Sequence, residues 1–196
     1  MAVCTTAGDG TRRWHLDGVA HREDGPAVEW IGGTKEWYSN GSQHRLGSPA
    51  IELSGGTKIW YFRGECHRED GPAIEWNNGN KEWWIHHGRH REDGPAIECL
   101  DGHKEWWVND KRHREDGPAI EYASRGEKSW YFEGHELTEE QHSRIRGRIE
   151  RAEKARAAKA HRIKWFILDR LLPRLCSPNS PAFLKRFYAD WDAASL

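Results

Sequence analysis

Four residue types that can carry acid–base or metal chemistry, His, Arg, Glu and Asp, stand side by side in a short sequence that recurs along this chain. The heptapeptide HREDGPA occupies 21–27, 67–73, 90–96 and 113–119, and a degenerate copy, HRLGSPA, occupies 44–50. A histidine next to carboxylates could transfer protons as a general acid or base, or could bind a metal ion. The motif is therefore either a repeated chemical site or a repeated structural element.

Three features of the motif argue against catalysis and metal binding. A catalytic constellation is normally single, because its groups converge on one reacting bond, whereas this motif recurs with a period of 23 residues. Each copy offers one histidine beside a competing arginine, where a metal site needs several ligands. Each arginine also stands beside carboxylates that neutralise it. We therefore expect a protein that is not an enzyme, with no catalytic residue, no metal and no cofactor.

The degenerate copy indicates which part of the motif is structural. At 44–50 both carboxylates are absent, but the His, the Arg, the Pro and the Ala are kept. Proline restricts its own backbone and donates no hydrogen bond, so the Gly-Pro pair indicates a bend. We interpret the motif as a corner that joins adjacent strands, with His-Arg and Pro-Ala as its required part and the carboxylates as optional.

Two further markers share the period of 23 residues and define the elements that carry the motif. Gly-x-Lys/Arg is followed two residues later by a tryptophan, and runs such as KEWYS and PAVEW lie between turn signals such as Asn-Gly and Gly-Gly. This pattern predicts one β-hairpin per repeat, and hence an elongated, single-sheet antiparallel array of five to six repeats over 1–136. The units start near Gly10, Gly33, Gly56, Gly79, Gly102 and Gly126, and their tryptophans, the lattice tryptophans, are Trp14, Trp37, Trp60, Trp83, Trp106 and Trp130.

Alternation along the strands places aromatic residues on both faces of the sheet. The lattice tryptophans share a mostly apolar face, which we expect to be packed. The residue after each tryptophan points to the other face and is a ring in five of the six units. These rings either stiffen a thin sheet through cross-strand contacts or form a recognition face. The ring column, as we call it, consists of Tyr38, Tyr61, Trp84, Trp107 and Tyr131.

The repeat resembles the MORN repeat (membrane occupation and recognition nexus) over about 10–136. The matching positions are that family's Trp, its turn Gly, its His and its Asp-Gly turn. HREDGP replaces the family's His-Gly-x-Gly, and Lys-Glu replaces its Tyr-x-Gly before the Trp, so the resemblance implies a divergent bacterial or phage variant. It further implies a non-enzymatic binding scaffold, a class in which some members have antitoxin roles. The matching residues are Trp37, Gly41 and His44; Trp60, Gly64 and His67; and Asp101-Gly102.

The last part of the chain, 137–196, differs from the repeats in charge and composition. It has 13 Lys/Arg against 7 Asp/Glu, whereas 1–136 has 17 against 24, so the two parts carry +6 and −7. Thr138 and Gln141 form a capping-box pattern that predicts a helix over about 139–172, and a second short helix is predicted at about 181–190. Four arginines fall on one face of the long helix: Arg144, Arg148, Arg151 and Arg162.

This basic helical region has two interpretations, which can coexist because only one face of a helix packs. It could cap the open end of the sheet by packing on the Trp face, as the terminal elements of repeat arrays do. Alternatively, its basic face could contact nucleic acid or an anionic membrane.

The cysteines and the absence of targeting patterns predict a cytoplasmic protein. The four cysteines show no Cys-x-x-Cys spacing, so we expect reduced thiols in an intracellular setting. No apolar run is long enough to span a bilayer, and the first ten residues show no signal-peptide pattern.

The leading functional hypothesis is a binding scaffold that engages and inhibits a protein partner, as an antitoxin or a phage anti-defence factor would. The ring column would supply its anchors, with loop residues at the rim. One alternative is sequestration of an anionic small ligand or nucleotide by the repeat loops. The other is a nucleic-acid- or membrane-associated scaffold that acts through the basic helix. The rim residues are Arg22, Arg68, Arg91 and Arg114, with His67, His90 and His113.

Overall fold

The computed structural model describes residues 2–166, apart from the side chains of 164–166. By its internal contacts the chain divides into two compact units, Met1–Arg144 and Ile145–Leu196. The structure confirms the predicted fold class, because the described chain is mostly antiparallel β-sheet built from hairpins and ends in a helix. The predicted helix at 181–190 and the predicted helix end near residue 172 lie outside the described residues.

Within residues 2–166 the structure has 22 short strands and one helix. In chain order the strands are β1 (Val3–Thr6), β2 (Arg12–Leu16), β3 (Val19–Ala20), β4 (Val28–Glu29), β5 (Lys35–Glu36), β6 (Tyr38–Ser39), β7 (Ser42–Gln43), β8 (Ile51–Glu52), β9 (Lys58–Ile59), β10 (Tyr61–Phe62), β11 (Glu65–Cys66), β12 (Ile74–Glu75), β13 (Lys81–Glu82), β14 (Trp84–Ile85), β15 (Gly88–Arg89), β16 (Ile97–Glu98), β17 (Lys104–Glu105), β18 (Trp107–Val108), β19 (Lys111–Arg112), β20 (Ile120–Tyr122), β21 (Glu127–Phe132) and β22 (His135–Leu137). The helix is α1 (Glu139–Phe166).

Most of these strands belong to one antiparallel sheet of 14 strands. Its order is β1-β2-β4-β5-β8-β9-β12-β13-β16-β17-β20-β21-β22, with β3 paired to β2. The remaining strands form four two-stranded hairpins, β6–β7, β10–β11, β14–β15 and β18–β19. Consecutive hairpins are linked by backbone hydrogen bonds, such as that from the Gly64 N–H to the Gln43 carbonyl at 2.8 Å. Each repeat is therefore hydrogen-bonded to its neighbours both through the 14-stranded sheet and through the two-stranded hairpins.

The third repeat shows how the motif loop is connected. Its outgoing strand, β9 and β10, is interrupted at Trp60, and its return strand consists of β11 and β12. The Trp60 N–H donates to the Ala73 carbonyl at 2.8 Å, and the Trp60 carbonyl accepts from the His67 N–H at 3.1 Å. Both ends of HREDGPA therefore pair with one outgoing strand. The prediction of a corner between adjacent strands is wrong, because the loop is an excursion within a single return strand, opposite the tryptophan.

The two-residue turns of the hairpins have the backbone that their sequences predict. Asn40 and Gly41 both have positive φ, 49° and 79°, as a type I′ turn requires. This turn suits a hairpin because its twist matches the right-handed twist of the flanking strands. Arg63 with Gly64 repeats the arrangement one unit later, with φ of 52° and 86°.

The repeats share a fully buried column of alanines. The Ala of every motif copy, including the degenerate one, has 0 % exposure. Each accepts the backbone hydrogen bond from its lattice tryptophan, so the side chain lies at the point where the strand pairing resumes after the loop. Because these side chains have no exposed surface, a larger one would have to displace its neighbours. The residues are Ala27, Ala50, Ala73, Ala96 and Ala119.

The helix α1 begins with the capping box that the sequence predicts. The Gln141 N–H donates to Thr138 Oγ1 at 3.2 Å, and the Thr138 N–H donates to Gln141 Oε1 at 2.9 Å. One turn further on, His142 is buried and its Nε2 lies 2.6 Å from the Arg114 carbonyl, which ties the first turn to the last motif loop. Among residues 2–166, no helix combines the length and the apolar character that a membrane span requires.

Candidate binding faces

Each motif arginine lies over the ring of the lattice tryptophan of its own repeat. The lattice tryptophans are half-buried, and in five repeats a guanidinium group covers the ring. The predicted packing of this face is thus supplied in part by the loops. Distances from the guanidinium carbon to the ring centroid are 4.1 Å (Arg22, Trp14), 3.9 Å (Arg45, Trp37), 4.2 Å (Arg68, Trp60), 4.0 Å (Arg91, Trp83) and 3.8 Å (Arg114, Trp106).

The polar atoms of the same arginines hold the loop closed. Arg68 Nε donates to Asp70 Oδ1 at 2.8 Å, and its Nη1 donates to the Pro72 carbonyl and to Glu75 Oε1, both at 3.2 Å. The hydrogen bond and charge of Arg68 hold the pKa of Asp70 below its ordinary value. The loop is therefore clamped between the tryptophan ring, its own proline carbonyl and the strand that follows.

The degenerate copy makes the same clamp without its carboxylates. Arg45 Nη1 donates to the Pro49 carbonyl at 3.2 Å and to Glu52 Oε1 at 3.1 Å, over the ring of Trp37. This geometry agrees with the prediction that His-Arg and Pro-Ala are the required part of the motif.

The motif histidines connect each repeat to the next one. Asn40 donates its N–H to His21 Nδ1 at 3.0 Å, and Arg63 donates to His44 Nδ1 at 3.1 Å. These donors are the positive-φ residues that open the next two-residue turn. The same contact recurs at His67, His90 and His113, with distances of 3.3, 3.2 and 3.1 Å. The predicted rim residues thus have structural contacts, and a further role for them in binding stays a prediction.

On the opposite face, carboxylates orient members of the ring column. Glu82 accepts hydrogen bonds from Trp76 Nε1 at 2.8 Å and from Trp84 Nε1 at 3.0 Å. Glu36 likewise accepts from Trp30 Nε1 at 2.7 Å and from the Tyr38 hydroxyl at 2.8 Å. Each carboxylate therefore joins the tryptophan that precedes a turn, Trp30 or Trp76, to a ring of the column.

The third such carboxylate, Glu105, is buried and has three hydrogen-bonding partners. Trp107 Nε1 donates to Oε2 at 2.9 Å, His103 Nε2 lies 2.9 Å from Oε1, and Arg112 Nε donates to Oε2 at 3.2 Å. Burial by itself would raise the pKa of Glu105, but the hydrogen bonds and the charge of Arg112 outweigh it and lower this pKa. The carboxylate is therefore held ionised beneath the column.

Two arginines that the sequence analysis did not select lie between the rings of the column. Arg89 is 4.6 Å from the Trp84 centroid and 5.0 Å from that of Trp107. Arg112 is 5.0 Å from Trp107 and 5.4 Å from Tyr131. They follow directly from strand pairing, because Arg89 is the register partner of Trp84 and Arg112 that of Trp107. The sequence pattern that could have identified them is an Arg five residues after each of these Trp residues, across a two-residue turn.

The two tyrosines in the first half of the column contact side chains other than arginine. Gln43 Nε2 donates to the Tyr38 hydroxyl at 3.2 Å, and Tyr61 makes an edge contact with the His87 ring at 6.3 Å. Burial, assisted by Glu36, raises the pKa of Tyr38, and burial with the neighbouring Cys66 thiol raises that of Tyr61. Arg89 and Arg112 therefore lie in the second half of the column, among Trp84, Trp107 and Tyr131.

The four arginines predicted on one face of the helix are exposed. Arg144, in the first unit, pairs with Glu140 at 2.7 Å. In the second unit Arg148, Arg151 and Arg162 are also exposed. Their placement agrees with the predicted spacing, and their contact with a polyanion stays a prediction.

Neither metal binding nor thiol chemistry is favoured by the side chains that the structure describes. No group of three or more metal-ligating side chains gathers among them. Cys4, Cys66 and Cys99 are free thiols, and burial raises the pKa of Cys66 to about 12, so this thiol stays protonated. Cys176 lies outside the described residues.

Comparison with known proteins does not assign the chain to a family. No protein-family model matches the sequence, and no curated protein is similar to it.

Proposed function

We propose that this protein is a non-enzymatic scaffold that binds a protein partner through the ring column. The observation that carries the proposal is the row of half-exposed rings, interleaved with Arg89 and Arg112, on one face of the repeat sheet. Tyrosine, tryptophan and arginine are the residues that dominate the energy of protein interfaces. A row of them across consecutive repeats offers one continuous contact surface.

The carboxylates beneath the column support binding because they fix the rings before a partner arrives. Glu82 and Glu105 each hold an indole N–H of the column. A ring that is already ordered loses little side-chain entropy when a partner covers it, which raises affinity. We infer that the face is a preorganised surface, and that binding needs only small changes in these side chains.

The finer parts of the hypothesis belong to the same proposal. The tryptophan period, the hairpin repeat and the positions of the turn glycine and histidine favour a divergent MORN-type protein. An inhibitory role, as an antitoxin or phage anti-defence factor in the cytoplasm, fits a binding surface without a catalytic set, and reduced Cys66 fits an intracellular setting.

The alternative of an anionic ligand held by the repeat loops has less support. The arginines of the loops already donate to their own aspartate, proline carbonyl and strand glutamate. The side chains that these loops direct to solvent are carboxylates, which repel an anion. We therefore favour the ring column over the loops as the site of binding.

The test is affinity capture from host lysate with the full chain, followed by quantification of the captured partner. We expect Trp107→Ala to weaken the complex by at least about thirtyfold, the effect of a hot-spot residue worth about 2 kcal/mol. The matched control is Trp76→Ala, which removes a half-exposed indole that also binds a carboxylate but lies outside the column. Unchanged capture by Trp107→Ala with an intact fold, or no stoichiometric partner for the wild type, would contradict the proposal.

The exposed basic face of the helix supports a second candidate function, contact with nucleic acid or an anionic membrane. Arg148, Arg151 and Arg162 are all exposed on one face. Binding to duplex DNA or to phosphatidylserine vesicles should fall steeply with salt and be abolished when these three residues become Glu. Binding that is weak at low salt, or that does not respond to the substitutions, would exclude this candidate.

A further inference from the structure

The motif loops form a second surface, on the face opposite the ring column, that the proposed function does not use. Between two consecutive loops lies an open groove of about 690 Å³. Its floor includes Val108, Pro95 and Trp106, whose ring lies under the Arg114 guanidinium, and its two rims are the Glu-Asp pairs of the two loops. A smaller groove of about 320 Å³ lies two repeats earlier, over Trp60 and Phe62; one of its rims is the Glu69-Asp70 pair, and the other is the degenerate loop, which has no carboxylate.

The rims of these grooves carry exposed negative charge. The side chains of Glu69 and Asp70 are each 85 % exposed, and those of Glu92 and Asp93 are 83 % and 85 % exposed. Each aspartate uses one oxygen for its loop arginine, whereas the glutamates approach only a motif histidine, at 3.6–3.7 Å. The glutamates therefore remain available for a cationic partner.

The second unit of the chain presents the complementary surface. Every described side chain from Glu150 to Ile163 is exposed. By helical periodicity, one face carries Arg148, Arg151 and Arg162, with Ala155 and Ala158 between them. A hollow on the helix is lined by these two alanines together with Lys159, Arg162 and Ile163. Small residues bring the helix axis close to the floor of the groove, while the flanking cations reach the acidic rims.

The spacing of the two surfaces also corresponds. Consecutive motif loops are two strands apart, so three consecutive loops extend over roughly 19 Å. Arg148 and Arg162 are 14 residues apart, which is roughly 21 Å along a helix. The intact copies at 67–73, 90–96 and 113–119 form one such consecutive run of three.

We propose that the motif loops of one molecule bind the basic helix of a second copy of this chain. The alanines lie over Val108 and Pro95 on the floor of the groove, and Arg148, Arg151 and Arg162 pair with the rim glutamates. Because two different surfaces meet, the contact is heterologous and leaves a free surface on each molecule of a pair. The inference goes beyond the proposed function and does not depend on it, because the ring column lies on the other face.

Analytical ultracentrifugation of charge-reversed full-length chains tests this contact. One variant reverses the loops (Glu69→Lys, Glu92→Lys and Glu115→Lys), and the other reverses the helix (Arg148→Glu, Arg151→Glu and Arg162→Glu). The loop substitutions spare the Arg–Asp pairs, so the clamp on tryptophan remains. The matched controls are Glu127→Lys, at the exposed start of β21 and outside the motif loops, and Arg156→Glu, on another face of the helix.

We expect the wild type and both controls to self-associate with rising concentration at low salt and to dissociate at high salt. Each reversed variant alone should associate at least about tenfold more weakly, because like charges then meet. A mixture of the two should form a complex, and a chain with both reversals should self-associate again.

A wild type that stays monomeric at all concentrations, or a mixture that forms no complex, would overturn the proposal. Self-association of the reversed variants as strong as that of the wild type would also overturn it. Tight binding of DNA or anionic vesicles by a strictly monomeric wild type would assign the basic face to a polyanion instead, and would also overturn it.

Discussion

Replacing a motif arginine by alanine should destabilise the repeat array far more than replacing the aspartate beside it. Arg91 is the example. Its Nη1 donates to the Pro95 carbonyl at 3.1 Å and to Glu98 at 2.8 Å, and its guanidinium group lies 4.0 Å from the Trp83 centroid. Arg91→Ala removes all three contacts and leaves the proline carbonyl without its donor.

The expected cost follows from these contacts. A hydrogen bond from a charged donor contributes about 1.5–3 kcal/mol, a partly exposed cation–π contact about 0.5–1 kcal/mol, and a partly exposed ion pair about 0.2–1 kcal/mol. Contributions that share one side chain are not additive, so we expect Arg91→Ala to lower the free energy of unfolding by about 2–3 kcal/mol. The free energy of unfolding of Arg91→Lys should lie between those of the wild type and Arg91→Ala, because lysine keeps the charge but not the planar group that covers the ring.

Asp93→Ala provides the contrast. Its carboxylate accepts one hydrogen bond from Arg91 Nε at 2.8 Å but is largely exposed, and the copy at 44–50 makes the clamp without it. We therefore expect no resolvable change for Asp93→Ala, and none for Glu92→Ala.

The measurement is urea unfolding followed by tryptophan fluorescence and circular dichroism, with the midpoint and slope compared across the four variants. An Asp93→Ala variant as unstable as Arg91→Ala would show that the carboxylate, and not the tryptophan and proline contacts, holds the loop. That result would refute the reasoning.

Three further predictions concern other parts of the structure. Ala96→Leu, at a position with 0 % exposure, should cost about 1–3 kcal/mol by overpacking in urea unfolding, whereas a neutral effect would show that the alanine column has room. The pKa of Glu105 is lowered in the folded protein, so its contribution to stability is fully present above the ordinary value of 4.5 and is lost as the pH falls through the folded value. Glu105→Gln should therefore unfold more easily than the wild type at neutral pH, and the difference in unfolding free energy should shrink in acid. A difference that is constant with pH would contradict this. Thr138→Ala should cost about 1 kcal/mol and speed amide exchange in the first turn of α1, which Thr138→Ser should restore; unchanged exchange in both would exclude a capping role.

The repeat sequence determined the architecture because its signals are local. Positive-φ turns at Asn40-Gly41, the alternation that separates Trp83 from Trp84, and the reciprocal Thr138–Gln141 capping box each depend on residues a few positions apart. Local backbone preferences and side-chain periodicity are sufficient to place such elements. The period of 23 residues then repeats the local structure of each unit along the chain.

Only the tertiary structure decided which residues of different strands and different repeats are in contact. The loop sequence could not show that both ends of HREDGPA pair with the same outgoing strand, because that depends on register. The histidine contacts cross 19 or 20 residues to the next turn, and Arg89 reaches Trp107 of the following repeat. A one-residue shift in register would turn each of these side chains to the opposite face, so their roles were fixed by strand pairing and not by residue type.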